Sequence, residues 1–371
     1  MTLVLGLSTC VDPEVINQPG TVNVVVVDAL LTDQNEPQKV LLNRSRADPG
    51  TGRFGTVPLT NATIELLIDA SRVVAFREAE PGTYLLPDGS RAQPDHRYQL
   101  SVTLADGTRY VSSVETVQPV PVIGRVTQRF EPKSIATTNP SRLLPANEFF
   151  IDTQDPADQI NFYRWDWTLW ERQPFCHSCY QGKYVIYDQQ NRLVNGCISD
   201  FTGPEYQDYR CQTDCWEIIQ GTTLNLLADN LINGRPILGR RVSRVPYLDY
   251  SSCLVEVRQS SLSQGAYQYF SQIENQTQRS GGLADAPPVT PIGNVTNPAN
   301  PREAVVGYFT VSAVSQVRYW LNRTAVNSGR PIADSLFQAQ NARLPEIDGR
   351  ITVVCQPSNS RTPFKPEGWR D

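Results

Sequence analysis

Between Thr63 and Val114 the chain repeats one unit, a short run of β-prone residues followed by a tight turn. Thr63-Ile64-Glu65-Leu66-Leu67-Ile68 and Arg72-Val73-Val74-Ala75-Phe76 flank Asp69-Ala70-Ser71 as a hairpin. Gly82 to Leu86 is a further strand, closed by Pro87-Asp88-Gly89. Arg97 to Leu104 and Thr108 to Val114 flank the turn Ala105-Asp106-Gly107. Side chains alternate between two faces along a strand, so each run can bury only one face. Short strands at this spacing predict a β-sandwich, opened by a strong strand over Thr21–Leu30. In Pro94-Asp95-His96-Arg97-Tyr98-Gln99-Leu100 the tyrosine stands at a strand start, as in a tyrosine corner, where its hydroxyl bonds back to the upstream backbone. His96 falls in the turn and reads as solvated.

A second β unit begins near Val122, after the boundary Pro119-Val120-Pro121. From Asn161 to Trp170 the pattern alternates. Tyr163, Trp165, Trp167 and Leu169 face one way, while Arg164, Asp166 and Thr168 face the other. The aromatic face reads as sandwich core. Leu254 to Arg258 is another strand, and Val305–Ser312, Gln316–Asn322 and Arg350–Cys355 are expected to complete the sheets. One helix is predicted over 261–277. Ser261 and Gln264 have the capping-box spacing, and Leu262, Ala266, Phe270 and Ile273 recur at helical intervals. A loop rich in Gly, Pro and Asn spans Ser280–Pro301. With 15 Tyr, 12 Phe, 6 Trp and 28 Pro, the composition favours strands and ordered loops over helix bundles. The expected fold is all-β: an N-terminal Ig/transthyretin-like sandwich, then a larger β-sandwich with one main helix and a Cys-rich insertion. The expected divisions are 1–20 as signal remnant and tether, 21–118, 119–356 with the insertion at 171–220, and a tail at 357–371.

Cys10 ends the apolar run Leu3-Val4-Leu5-Gly6-Leu7-Ser8-Thr9 and precedes a polar segment. That order is the pattern of a bacterial lipoprotein signal, and Cys10 is the expected lipidation site. Acyl chains contribute ~0.8 kcal/mol per buried CH₂, so several anchor a soluble body stably. The other cysteines are Cys176, Cys179, Cys197, Cys211, Cys215, Cys253 and Cys355. Cys176-His177-Ser178-Cys179 and Cys211-Gln212-Thr213-Asp214-Cys215 have spacings that zinc accepts. The first pair also has redox spacing, though no thioredoxin-like βαβ pattern surrounds it. In an exported chain disulfides are the expected state, drawn from the five clustered cysteines with Cys253 or Cys355, and no metal is expected. Seven is odd. Cys253, which precedes an alternating strand, is the candidate for the unpaired thiol. Sequence alone does not fix the pairing.

The net charge of −5 gives no footprint for nucleic acid. After residue 10 the apolar runs, such as Val24–Val27, are far too short to span a bilayer, so any membrane attachment is a tether. With two histidines, His96 and His177, and no nucleophile-elbow, metalloprotease or P-loop pattern, the sequence offers no catalytic set and calls for no cofactor. Asp152, Asp155 and Asp158 lack the glycine and terminal glutamate of an EF-hand loop and read as solvated acids. A surface glycosidase or other hydrolase acting through a carboxylate pair stays open as an alternative.

One block carries a specific resemblance. It runs Val257-Arg258-Gln259-Ser260-Ser261-Leu262-Ser263, Ala266-Tyr267-Gln268-Tyr269-Phe270, Pro287-Pro288, Ile292-Gly293-Asn294-Val295 and Val306-Gly307-Tyr308-Phe309. Tyr98 to Tyr110, Asn161-Phe162-Tyr163-Arg164-Trp165 and Cys10-Val11-Asp12-Pro13-Glu14 agree with it. In that order these segments resemble the DUF4249 lipoproteins of Bacteroidota; the Cys-rich insertion departs from the pattern. The resemblance implies a non-catalytic lipoprotein on the outer face of the outer membrane. Its expected partner is a SusC-like TonB-dependent transporter barrel, in nutrient capture or as an accessory subunit, with room for an unidentified small ligand. A structural subunit of an outer-membrane assembly or secretion machine is the alternative. The acids after Cys10, Asp12 and Glu14, resemble the signal that sends such lipoproteins to the cell surface.

Overall fold

The computed structural model describes residues 23–48, 53–137, 139, 141–157, 159–203, 205–277, 291–323, 331–332 and 351–371. Cys10, Asp158 and residues 280–290 of the predicted loop lie outside them. Among the described residues the protein is nearly all strand, with its main helix at Gln264–Thr277, as the alternation predicts.

Two sheets form the first sandwich. One orders the strands Val305–Ser312, Val25–Thr32, Lys39–Asp48, Thr83–Leu85 and Arg77–Glu80, with Arg53–Pro58 also on Lys39–Asp48. The other orders Val295–Thr296, Arg109–Ser112, Arg97–Thr103, Thr63–Ile68 and Arg72–Ala75, with Glu115–Thr116 also on Arg97–Thr103. Their apolar faces meet in one core, where Val25, Val27, Ala29 and Leu31 face Ile64, Leu66, Leu100 and Val102. The predicted hairpin closes through Asp69 and Ala70, both at positive φ. The tyrosine corner is present: the hydroxyl of buried Tyr98 accepts from the Gln93 N–H at 2.7 Å. His96 is half-exposed and pairs with Asp69 at 2.5 Å.

The contiguous boundary at 118 does not hold, because the chain returns to the first sandwich near its end. Val305–Ser312 runs parallel to Val25–Thr32 in the register Val25↔Val305 to Thr32↔Ser312. A parallel partner needs a long crossover, and here it takes in the remaining strands of the first sandwich and most of those of the second. Gly307 makes the closure possible. It sits at φ +116, and a Cβ there would lie 1.9 Å from the Val27 carbonyl oxygen. Asn294 completes it as a surrogate strand: its Oδ1 accepts from the Phe309 N–H at 2.8 Å and its Nδ2 donates to the Phe309 carbonyl at 3.0 Å.

The second sandwich packs the sheet Ile123–Ala136, Leu143–Gln154, Pro236–Pro246 on a sheet ordered Val314–Leu321, Cys253–Leu262, Phe162–Arg172, Trp216–Gln220, Arg361–Thr362. Leu226–Ala228 also pairs with Phe162–Arg172. Tyr163, Trp165 and Leu169 are buried against Phe149, Ile151, Val255 and Val257, with Trp167 partly buried beside them. Two expectations fail at the C-terminus. Ile351–Cys355 forms no sheet strand and makes one bridge, Val353 to Cys211. Residues 357–371 are no free tail: Trp369 packs edge-on to Trp216 and Trp320, with ring centroids 5.7 and 5.0 Å apart.

The helix is Gln264–Thr277, shorter than predicted. Ser261 and Leu262 end the strand Cys253–Leu262, and Ser263 is the cap, its Oγ accepting from the Ala266 N–H at 3.3 Å. Ser261 instead pins the junction between the sandwiches. Its Oγ donates to the Gln118 carbonyl at 2.6 Å and accepts from the Ala313 N–H at 3.0 Å, so one hydroxyl holds two of the segments that connect the sandwiches. Arg258 locks the same junction through two bonds to Glu36, at 2.6 and 2.7 Å.

Candidate functional site

Between the strands Phe162–Arg172 and Trp216–Gln220 the chain leaves the sandwich and forms two small hairpin sheets, Phe175–Tyr180 with Tyr206–Arg210 and Gly182–Tyr187 with Leu193–Ser199. Their shared core is Tyr184, Tyr209, Val353 and cysteines, too little apolar volume to hold such a body alone. Disulfides supply the rest. Cys176 bonds to Cys211, Cys179 to Cys197, and Cys215 to Cys355. The first flanks one hairpin, the second joins the two hairpins, and the third ties their base to the C-terminal segment.

The redox reading of Cys176 and Cys179 is therefore overturned, since each bonds elsewhere. The sulfur-rich groups with zinc-like geometry, Cys176, Cys211 and Cys215, and His177, Cys179 and Cys197, are built from these disulfide sulfurs, which are not thiolate ligands. Cys253, admitted among the disulfide candidates, takes no part. Among the described residues it is the free thiol, fully buried, and burial pushes its pKa up to about 12, so it stays protonated and packs as a small hydrophobe. Asp155 is not a solvated acid. It is buried, its Oδ1 accepting from the Tyr163 hydroxyl and its Oδ2 from the Gly234 N–H, while Asp152 pairs with Arg125 at the surface.

The insertion exposes apolar side chains that a free surface ordinarily hides. Tyr187 and Leu193 are cross-strand partners 56% and 69% exposed, with Ile186 and Val194 beside them. Phe201 is 76% exposed, and Tyr180 stacks obliquely on Tyr206 at 5.1 Å. Such patches mark interaction surfaces.

A second feature is a cleft of about 940 Å³ between the two sandwiches and the helix. Its wall is the polar face of the Trp-bearing strand. Arg164 bonds to Asp166 at 2.8 Å and lies over the Phe270 ring at 4.9 Å. Tyr269 and Tyr308 stack at 5.4 Å on the other side. Burial, helped by the nearby Glu115 charge, pushes the Tyr308 hydroxyl up to about 12. These groups present rings, a paired guanidinium and protonated hydroxyls, which is binding chemistry. The buried carboxyls Asp155 and Asp229 do not line this cleft. The alternation flagged Arg164 and Asp166 as one face of a strand. Nothing local announces Tyr269, Phe270 or Tyr308 as their neighbours, because the helix and the returning strand meet that face only through the long crossover.

No described helix is long and apolar enough to cross a membrane. No curated protein is detectably similar to the chain, and neither is any solved structure. The family model of DUF4249, a domain of unknown function, matches residues 9–318, and the chain belongs to that family.

Proposed function

We propose that this chain is a non-catalytic lipoprotein of a Bacteroidota outer membrane, anchored through Cys10 and facing the cell exterior, that docks on a SusC-like TonB-dependent barrel in nutrient capture or as an accessory subunit. The observation that carries the reading is the stapled insertion. It holds tyrosine, leucine and phenylalanine side chains out to solvent on a body too small to fold without its disulfides. A rigid apolar surface binds with little ordering cost, and a large partner is what would cover it. Disulfides belong to oxidising compartments, which supports export. Membership of the family supports the partnership through the resemblance given above.

A tagged copy expressed in its native host and purified from gently solubilised membranes tests this. Co-purification of a barrel, lost when Tyr187 and Leu193 are both changed to Ser, is the expected result. Recovery of the protein alone, under conditions that keep other barrel complexes intact, refutes the partnership. Mass spectrometry of the native N-terminus tests the anchor, and a free Cys10 thiol refutes it.

A further inference from the structure

The cleft between the sandwiches is walled by two sheet faces whose side chains the strand registers fix. Val25, Val27, Ala29 and Leu31 are core, so Asp28 and Leu30 point out of the first sandwich, with Leu41 and Lys39 as their cross-strand partners. On the second sandwich Trp165 is core, so Arg164 and Asp166 share the opposite face with Ser260 and Arg258. Ile273 and Glu274 line the same space from the helix, and Thr222 and Thr223 from the segment after Trp216–Gln220. Arg258 crosses to Glu36 of the first sandwich, so the walls are fixed on each other before any ligand arrives.

Charge of both signs lines the space. Asp28, Asp166 and Glu274 stand against Lys39 and Arg164, a mixture that suits neither a strong anion nor a polycation. Arg164 is itself spent on Asp166. Its Nε and one terminal nitrogen both donate to Asp166 Oδ1, at 3.1 and 2.8 Å, and Phe270 backs the guanidinium. That holds the carboxylate in place, and its Oδ2 accepts no bond from the described residues. Apolar surface lies beside these groups. Leu30, on an interior strand of its sheet, is left 43% exposed, and Leu41 and Ile273 line the same cleft. A hydrocarbon ligand would bury the carboxylates without partners, and a small ion would leave Leu30 in water. A molecule with apolar faces and a rim of hydroxyls suits both, because each hydroxyl can donate to a carboxylate and accept from an ammonium or another hydroxyl. At about 940 Å³ the cleft is near the top of the ~300–1,000 Å³ range of small-molecule sites, with room for several linked rings rather than one.

We propose that this cleft binds a neutral oligosaccharide. Asp166 Oδ2 on one wall and Asp28 on the other accept from its hydroxyls. Lys39, Thr222 and Thr223 donate to it. Leu30 and Leu41 pack against the C–H face of a ring. The barrel partnership rests on the insertion tip instead, so the two readings fail separately.

The test uses the full chain carrying Cys10→Ser, which keeps it free of acyl chains. It is applied to an array of neutral and acidic oligosaccharides, then titrated calorimetrically with the neutral oligosaccharide that binds best. Neutral oligosaccharides should bind in preference to acidic ones, saturably and at a single site. Asp166→Ala should weaken binding about tenfold or more, the loss typical of a bond to a charged acceptor. Thr222→Ala with Thr223→Ala should weaken it about threefold or more. Both threonines are exposed, so the fold should tolerate their loss, and they decide the matter if Asp166→Ala unfolds. Tyr187→Ser with Leu193→Ser, at the insertion tip, should leave the affinity unchanged. No neutral oligosaccharide bound above background, a preference for acidic ones, or an affinity unmoved by both the Asp166 and the threonine variants would overturn the site.

Discussion

Removing the Cys179–Cys197 bridge should loosen the outer hairpin and leave both sandwiches intact. The bridge closes a loop with a sequence separation of 18. The chain-entropy relation gives about 3 kcal/mol for a loop of that size, against about 5 kcal/mol for the 140-residue separation of Cys215–Cys355. The hairpin has little else to hold it. Tyr184 donates its backbone N–H to the Tyr209 hydroxyl at 2.8 Å, and few apolar residues are buried with them. The perturbation is the double change Cys179→Ala, Cys197→Ala. About 3 kcal/mol of local stability is roughly a hundredfold in the open population, and amide exchange through local opening reports that population. Exchange measured by mass spectrometry should therefore accelerate about a hundredfold over Gly182–Tyr187 and Leu193–Ser199. Phe162–Arg172 and Cys253–Leu262, deep in the second sandwich, should keep their protection. If the hairpin changes by less than about tenfold, the staple is not what orders it. If the sandwich strands accelerate equally, the insertion is not an independent unit.

Three further outcomes are expected. Glu36→Gln should cost about 1.5–3 kcal/mol at pH 7, because two charge-assisted bonds to Arg258 are lost at the junction. Burial alone would raise the Glu36 carboxyl, but Arg258 outweighs it and holds the pKa below normal. Its contribution is therefore present above the unfolded carboxylate value and fades as pH falls through the folded one, which urea unfolding at several pH values would read. Asp155 is shifted the other way, raised mainly by burial and further by the Asp229 charge, so the native state holds its proton longer. Stability falls as pH rises from the unfolded carboxylate value through the folded one, and Asp229→Asn should flatten that slope; an unchanged slope would refute the coupling. Gly307→Ala should cost more than about 3 kcal/mol, through its positive φ and the clash with the Val27 carbonyl, and a small shift in a melting curve would show that the strands can part.

Much of the fold is legible because period-two patterning is local. The strands Arg97–Thr103 and Phe162–Arg172, the hairpin at Asp69 and the corner at Tyr98 need only neighbours in sequence to be read. What escapes is everything set by distant partners. Val305–Ser312 reads as a strand, but not as the parallel neighbour of Val25–Thr32. Ser261 has the spacing of a cap, yet its hydroxyl finds Gln118 and Ala313, and a strand ending in Leu262 takes precedence over a first helical turn. The disulfide partners are likewise a matter of folded proximity. The meeting of Arg241 and Arg244 at Glu148 is invisible because a single bulge puts two residues of one strand on a face that strict alternation would divide.

The segments that carry the family resemblance have a mechanical role rather than a chemical one. Gly307 permits the close approach of the returning strand, and Asn294 lends its amide as a strand edge to Phe309. Ser261 fastens two crossings, and Arg258 clamps the first sandwich through Glu36. Together they close the first sandwich and fix it on the second. With the joint held rigid, the surface free to specify a partner is one the joint does not use, the insertion tip. Substitutions in the two sets should separate accordingly. Changes at Gly307 or Ser261 should lower stability and take every binding activity with it. Tyr187→Ser with Leu193→Ser should abolish partner binding at unchanged melting temperature, because both side chains are more than half exposed and bury little within the chain. A fall in melting temperature of the whole protein in that double variant would mean that the exposed tip supports the fold, and the division of labour would fail.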